Sequence, residues 1–330
     1  MKDAARFFSG ARVLITGGLG FIGSNLAAEL VRQGASATLI DSLIPEYGGN
    51  LFNVRGIEDK VTVNISDVRD EHSMKYLVQG KDYLFNLAGQ TSHMDSMQQP
   101  QIDLEINCRS QLSILEACRH FNPRIKVVFA STRQIYGRPD YLPVDEKHPL
   151  RPVDVNGINK LAGEYYHILY DEVYGIRSCA LRLTNTYGPR MRIKDARQTF
   201  VGIWIRRLLE EKPFEVWGGE QLRDFTYVDD CVDALLRAAM LEDVNGGVFN
   251  LGDPNPISLQ ALADLLVELN GGGKYEVRSF PADRKKIDIG DFYSDSRKFT
   301  QKAAWSPTTS LREGLRRTLE FYKQNLSQYL

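Results

Sequence analysis

The feature that most constrains this chain is the run Thr16-Gly17-Gly18-Leu19-Gly20-Phe21-Ile22-Gly23. It lies between an apolar run, Arg12 to Thr16, and a helical pattern, Phe21 to Gln33, that Gly34 closes. Glycines at Gly17, Gly20 and Gly23 allow a tight turn from a strand into a helix. They also let that helix pack close to the strand and let backbone approach a ligand. A strand–glycine turn–helix unit of this kind belongs at the start of a doubly wound α/β sheet, and the rest of the chain agrees. Short apolar runs at Ala37–Asp41, Val61–Asn64, Tyr83–Asn86, Lys126–Ala130 and Ser178–Leu183 alternate with helical stretches at Glu71–Gln79, Ile102–Phe121 and Asn159–Val173. Buried strands separated by helices imply a parallel sheet covered on both faces. The expected fold is therefore a Rossmann-type α/β domain over residues 1–185. From residue 186 to 330 the pattern loosens, which implies a smaller, interleaved C-terminal α/β lobe that binds the substrate, with some segments returning to the first domain.

The helix N-terminus after the turn offers open N–H groups and a positive dipole end, which suit a pyrophosphate. Phe21 and Ile22 begin that helix. Asp41 ends the second apolar run, 18 residues after Gly23. A carboxylate there accepts hydrogen bonds from ribose hydroxyls and repels a 2′-phosphate, so NAD is the expected cofactor. Asp67 and Val68, after the third run, are candidates for the adenine. Leu87, Ala88 and Gly89 follow the fourth run, at the carboxyl edge of the sheet where ligands sit.

Composition excludes several alternatives. Lys and Arg number 41 against 42 Asp and Glu, a net charge of −1, so there is no electrostatic case for nucleic acid or a membrane surface. No apolar run reaches membrane-span length, and Met1 to Gly10 lacks a signal-type apolar stretch. A cytoplasmic protein is expected. Cys108, Cys118, Cys179 and Cys231 are too scattered for a disulfide framework or a zinc site, and no metal is expected.

TGGLGFIGSN, NLAGQ, STRQIYG, the run Arg182 to Arg190 (RLTNTYGPR) and the run Arg223 to Asp230 (RDFTYVDD) resemble the extended short-chain dehydrogenase/reductases. Within them the chain is similar to the NAD-dependent nucleotide-sugar epimerase/dehydratase family, typified by UDP-glucose 4-epimerase. The resemblance implies a retained NAD that takes a hydride from a sugar carbon, a Tyr base, a Lys four residues later on the nicotinamide ribose, and a Ser or Thr on the sugar oxygen. Thr132 matches the Ser/Thr and Lys160 the Lys. The Tyr position holds Asn156, and an amide has no titrating proton to serve as a base, although it can donate a hydrogen bond to a sugar oxygen. His93 ranks first as the replacement base because an imidazole titrates near neutral pH; Asp95 ranks second. Tyr136, Tyr165 and Tyr166 are read as packing. The Asp-Glu pair of the family's dehydratases is replaced by Arg133 and Gln134, which disfavours that elimination and sets Arg133 near the sugar, where it suits an anionic group.

The resemblance also places Asn185 and Arg223 at the substrate diphosphate. Where the family often has a third phosphate-binding Arg, this chain has Asp288, with Arg284, Lys285 and Lys286 upstream as substitutes. Arg190, Arg192, Lys194 and Arg197 add a basic loop, within which Arg192 is a further candidate for the substrate. The family's homodimer packs two helices per subunit, and the matching segments offer Ile106, Ile114, Leu115, Ile168 and Leu169 as candidates, which core burial explains equally well. The expected function is an NAD-dependent nucleotide-sugar epimerase. Dehydratase, decarboxylase or mutase chemistry on the same scaffold, or binding without catalysis, stand as alternatives.

Overall fold

A computed structural model describes residues 7–281 and 285–330. Its centre is a parallel sheet of β1 (Arg12–Thr16), β2 (Ser36–Asp41), β3 (Val61–Ile65), β4 (Tyr83–Asn86), β5 (Lys126–Thr132), β6 (Ser178–Leu183) and β11 (Val248–Leu251), in the spatial order β11-β6-β5-β4-β1-β2-β3. The strand order reverses between β1 and β4, which puts the glycine turn and the end of β4 side by side at the switch point. Residue alternation builds both faces. Val13 and Ile15 of β1 enter one buried core with Leu26 and Leu30. Leu14, with Leu84 and Val127, enters the other, against Met74, Ile114, Leu115 and Tyr170.

Helices α1 (Phe21–Arg32), α2 (Glu71–Leu77), α3 (His93–Gln98), α4 (Pro100–Leu104), α5 (Ser110–Phe121) and α6 (Val155–Tyr174) alternate with the strands as expected. Two details differ. The segment anticipated as one helix from Ile102 starts at Pro100 and carries a π-helical turn over Glu105–Arg109. Helix α6 starts four residues before the expected Asn159, because Asp154 caps it: its Oδ1 accepts from Gly157 N at 2.7 Å.

After β6 come β7 (Asn185–Tyr187), α7 (Phe200–Leu209), β8 (Phe214–Trp217), β9 (Leu222–Arg223), β10 (Phe225–Tyr227), α8 (Val228–Met240), α9 (Leu259–Asn270) and a terminal helix, Leu311–Asn325. Strand β11 leaves this region and pairs with β6, and α8 packs on α1 and β5. The chain therefore returns to the sheet at β11 before adding α9 and the terminal helix. Arg284 lies outside the described residues. Among those described, no helix is long and apolar enough to cross a membrane.

Candidate functional site

At the switch point the glycine turn does what its spacing requires. Gly17 has φ +67°, and a Cβ there would sit 3.1 Å from the Ala88 backbone; a Cβ on Gly23 would sit 2.2 Å from the Gly17 carbonyl oxygen. Side chains at either place would separate β1, β4 and α1. Helix α1 has no side-chain cap and no acid in its first turn, so its N–H groups and dipole stay open to phosphate. The Asp41 carboxylate accepts from Leu19 N at 3.1 Å and Leu43 N at 3.0 Å. Burial raises its proton affinity, and those backbone bonds oppose the shift. Gly49 passes so close that a Cβ would lie 2.5 Å from this carboxylate. Asp67 is held by Arg69 in a bidentate pair, which keeps its carboxyl below the usual range, and Val68 beside it is buried. Leu87 N and Ala88 N donate to Thr16 Oγ1, which itself donates to Asn86; that buried network fixes the edge of β4. The glycine cradle, the open helix end and Asp41 fit a dinucleotide such as NAD.

Lys160 sits one strand over. Its Nζ donates to Ala130 O at 3.2 Å and lies 5.1 Å from the Phe129 ring centroid. A Cβ on Gly89 would meet Nζ at 2.9 Å, so Gly89 and Lys160 line the same space. Burial pulls the Lys160 ammonium down to about 8, with Asp103 pulling the other way.

Asn156 is not free. Its amide nitrogen donates to Gln90 O at 2.8 Å, Gln90 Oε1 at 3.3 Å and Asp103 Oδ2 at 3.0 Å. The donor capacity expected to meet a sugar oxygen is already spent. Asp103, which sequence reasoning missed, is the hub: Asn107 donates to Oδ2 at 3.1 Å and Asn159 to Oδ1 at 2.7 Å. Three amides satisfy one buried carboxylate, and the π turn over Glu105–Arg109, which contains Asn107, sets their phase. Nothing in the apolar period of this segment signals such a turn.

His93 opens α3, with Nδ1 2.8 Å from Asp154 Oδ2 and Nε2 2.7 Å from the Gln134 amide. Gln134 N donates to Thr132 Oγ1 at 3.3 Å, so His93 and Thr132 are joined through one residue. Asp154 is buried. Burial pushes its proton affinity up, but His93 and the Gly157 N–H outweigh that and hold the carboxyl below its ordinary range. Asp95, ranked second as base, is paired with Arg197 at 2.9 Å. Tyr136 is fully buried between Asn250 and Arg182, in keeping with a packing role, whereas Tyr165, also expected to pack, is exposed on α6.

Next along the cleft from Thr132, Arg133 donates to Asn185 Oδ1 at 3.3 Å, and Asn185 donates to Asp224 O at 2.8 Å, so Arg133 joins the Thr132 end of the cleft to the Asn185–Arg223 end. Burial pulls the Arg133 guanidinium down to about 9, and the nearby Arg223 adds to the effect. Arg223 is buried; it donates to Leu222 O at 2.8 Å and to Gly290 O, and lies 3.7 Å from Asp288. Asp288, standing where the family often has a phosphate-binding Arg, is thus a counter-charge to the remaining one. Arg192, anticipated at the substrate, is occupied instead. It holds Asp195 through two bonds of 2.8 and 2.7 Å and donates to Pro45 O at 2.6 Å. With Arg197 bridging Asp195 and Asp95, this loop forms a strap from the segment after β2 to α3.

The family model "NAD dependent epimerase/dehydratase family" matches residues 13–252. The chain belongs to this family. A putative UDP-glucose 4-epimerase of Methanocaldococcus jannaschii is 31% identical over 315 residues, 95% of this chain and 99% of that protein. UDP-glucuronic acid decarboxylase 1 of Xenopus tropicalis is also 31% identical, over 96% of this chain and 73% of that protein. The solved UDP-glucose 4-epimerase of Thermotoga maritima, with UDP-glucose, aligns at a TM-score of 0.86 and 30% identity, covering 96% of this chain and 99% of that one.

Proposed function

We propose that the chain is an NAD-dependent nucleotide-sugar epimerase in which His93, oriented by Asp154, stands in for the missing Tyr. The observation that carries this reading is the His93–Asp154 approach of 2.8 Å beside Thr132. When bound, NAD supplies a hydride acceptor and donor at the sugar. Gly17, Gly20, Gly23 and the start of α1 hold its pyrophosphate, Asp41 its ribose, Asp67 and Val68 its adenine end, and Leu87 to Gly89 with Lys160 its nicotinamide end. The segments after residue 185 that leave the sheet form the nucleotide-sugar lobe, with Asn185 and Arg223 on the diphosphate.

In this reading Thr132 hydrogen-bonds the reacting sugar hydroxyl and His93 Nε2 takes its proton once the Gln134 amide turns aside. The imidazolium so formed lies 2.8 Å from the Asp154 carboxylate, whose charge favours it, although Nδ1 is not in hydrogen-bond geometry with that oxygen. Lys160 places positive charge by the same oxygen. Returning the proton from His93 after the ketone is reduced on its other face completes the cycle. Asn156, Asp103, Asn107 and Asn159 form the rigid floor that keeps α4 and α6 in place. His93→Ala is expected to lower turnover of the nucleotide sugar by about 10²- to 10⁴-fold while NAD is retained. Unchanged turnover would remove His93 from the mechanism. Product mass separates the reactions: an epimer keeps the substrate mass, and a decarboxylase product is lighter by carbon dioxide.

Homodimer formation through α5 and α6 is part of this proposal. Ile106, Ile114 and Leu115 are core residues, but Ile158, Tyr165, Leu169 and Val173 are exposed along α6, an apolar stripe at helical spacing of the kind that marks an interface.

A further inference from the structure

We infer that Arg133 anchors a carboxylate on the sugar, so that the substrate class is a nucleotide-diphosphate uronic acid. This rests on the nucleotide-sugar reading above and narrows it. Arg133 follows Thr132 where the chain turns off β5. Its guanidinium lies over the Phe292 ring, 5.2 Å from the centroid, and Nη2 donates to Asn185. Nη1 is shut off from solvent and has no hydrogen-bond partner. Among the described residues no carboxylate lies within ion-pair distance of it.

Four other arginines near the cleft differ in this respect, while Arg190 is satisfied by Ser24 O and Asn25 Oδ1. Arg223 faces Asp288, Arg192 faces Asp195, Arg197 faces Asp95 and Arg182 faces Glu164. Asp224, Asp154 and Asp288 act on Arg133 only from beyond ion-pair distance. A desolvated guanidinium with no direct counter-ion is costly, and it does not shed its proton to escape that cost. The missing anion therefore comes with the ligand. A phosphate and a carboxylate could both fill the role, and position favours the carboxylate. Arg223, against Gly290 and Asp288, occupies the diphosphate end. Arg133 has Thr132, and Gln134 bonded to His93, as its chain neighbours, which is the end where the sugar reacts. The guanidinium fork matches two carboxylate oxygens. A carboxylate fixed in this way is stabilised as an anion in the ground state, which opposes its departure as carbon dioxide and favours chemistry that leaves it intact.

The test is calorimetric binding to the NAD-loaded protein of UDP-glucuronate, UDP-glucose and UDP, repeated with the corresponding dTDP and GDP ligands. The wild type is expected to bind the uronate about 10- to 100-fold tighter than the neutral sugar of the same nucleotide, the range for hydrogen bonds to a charged partner. Arg133→Gln should abolish that preference, and Arg133→Lys should restore part of it. The affinity for the free nucleotide diphosphate should change less than about threefold, a shift too small to represent a lost charged hydrogen bond. Equal affinity of the wild type for uronate and neutral sugar overturns the proposal, whether or not the variants fold. An Arg133→Gln variant that weakens free UDP as much as UDP-glucuronate assigns Arg133 to the diphosphate and also overturns it. If no nucleotide or nucleotide sugar binds in any series, the nucleotide-sugar reading itself fails.

Discussion

Replacing Asp154 by Asn separates the two tasks of this carboxylate. Oδ1 caps α6 through Gly157 N, and Oδ2 faces His93 Nδ1 at 2.8 Å. Asn caps a helix about as well as Asp, so the fold should lose only the charge–dipole part, about 0.3–1 kcal/mol. The cap requires an oxygen, so the Asn must present its oxygen to Gly157 and its NH₂ to His93. That pairing makes Nδ1 an acceptor and moves the ring proton to Nε2, the nitrogen meant to act as base. The electrostatic loss adds to this. Two unit charges at this distance interact by about 6 kcal/mol at an effective dielectric of 20 and about 1.5 kcal/mol in water. His93 is 34% exposed, so solvent screening brings the charge loss towards the lower of these figures. With the ring proton misplaced as well, kcat should fall by at least about 100-fold. Steady-state turnover, the melting temperature and NAD retention would be measured for Asp154→Asn, His93→Ala and the double variant. If Asp154 acts through His93, the double variant is no slower than His93→Ala alone. Near wild-type turnover in Asp154→Asn, or a further loss on adding it to His93→Ala, would refute the dyad.

Other expectations concern the protein's stability and its assembly. Lys160 titrates near 8 in the fold against 10.5 as its ordinary value. Between those values the unfolded chain binds more protons, so this site's contribution to stability rises as pH climbs from about 8 to 10.5, and below 8 the whole cost of burying the ammonium is present. Lys160→Met should therefore be stabilised relative to the wild type by roughly 3 kcal/mol more at pH 7.5 than at pH 10.5; urea midpoints at the two pH values read this directly, and a pH-independent gap would contradict it. Leu169→Glu, on the exposed stripe of α6, should shift the sedimentation coefficient from dimer to monomer with turnover per chain assayed in parallel; an unshifted wild-type-like dimer would place the interface elsewhere.

Where function depends on local backbone geometry, it was legible in the sequence. Gly17, Gly20 and Gly23 specify a turn almost by themselves, and Asp41 follows from the length of one strand–helix–strand unit. Six of the seven parallel strands are readable because buried strands are short and apolar; the place of β11 in the sheet is not, because it returns there from the C-terminal half. What escaped notice depends on side chains meeting from distant segments. The α6 start was missed because Asp154 reads as an ordinary loop acid until its N–H partner at Gly157 is seen. Ile114 and Leu115 were interface candidates and are core, since an apolar period looks the same whichever partner covers it. Arg192 and Arg133 are both single arginines in a sequence; only geometry shows that Asp195 occupies the first and no carboxylate reaches the second. Asp103 carried no signal at all, because a buried carboxylate is recognisable only by the three amides around it.

The π turn over Glu105–Arg109 bears on how this chain can vary. It accommodates one residue more than a regular helix would. Deleting one residue there would regularise the helix with Pro100–Leu104 and α5 keeping nearly their present relative rotation, whereas adding one would exceed what the turn absorbs and swing everything ahead of it by about 100°. Asp103 would then leave the face it shares with Asn156 and Asn159; Asn159 would lose its acceptor, while Asn107 and Asn156 would keep Gln90. This segment thus tolerates a change of length in one direction only. In descendants of this sequence, single-residue deletions within the turn should be found more often than insertions.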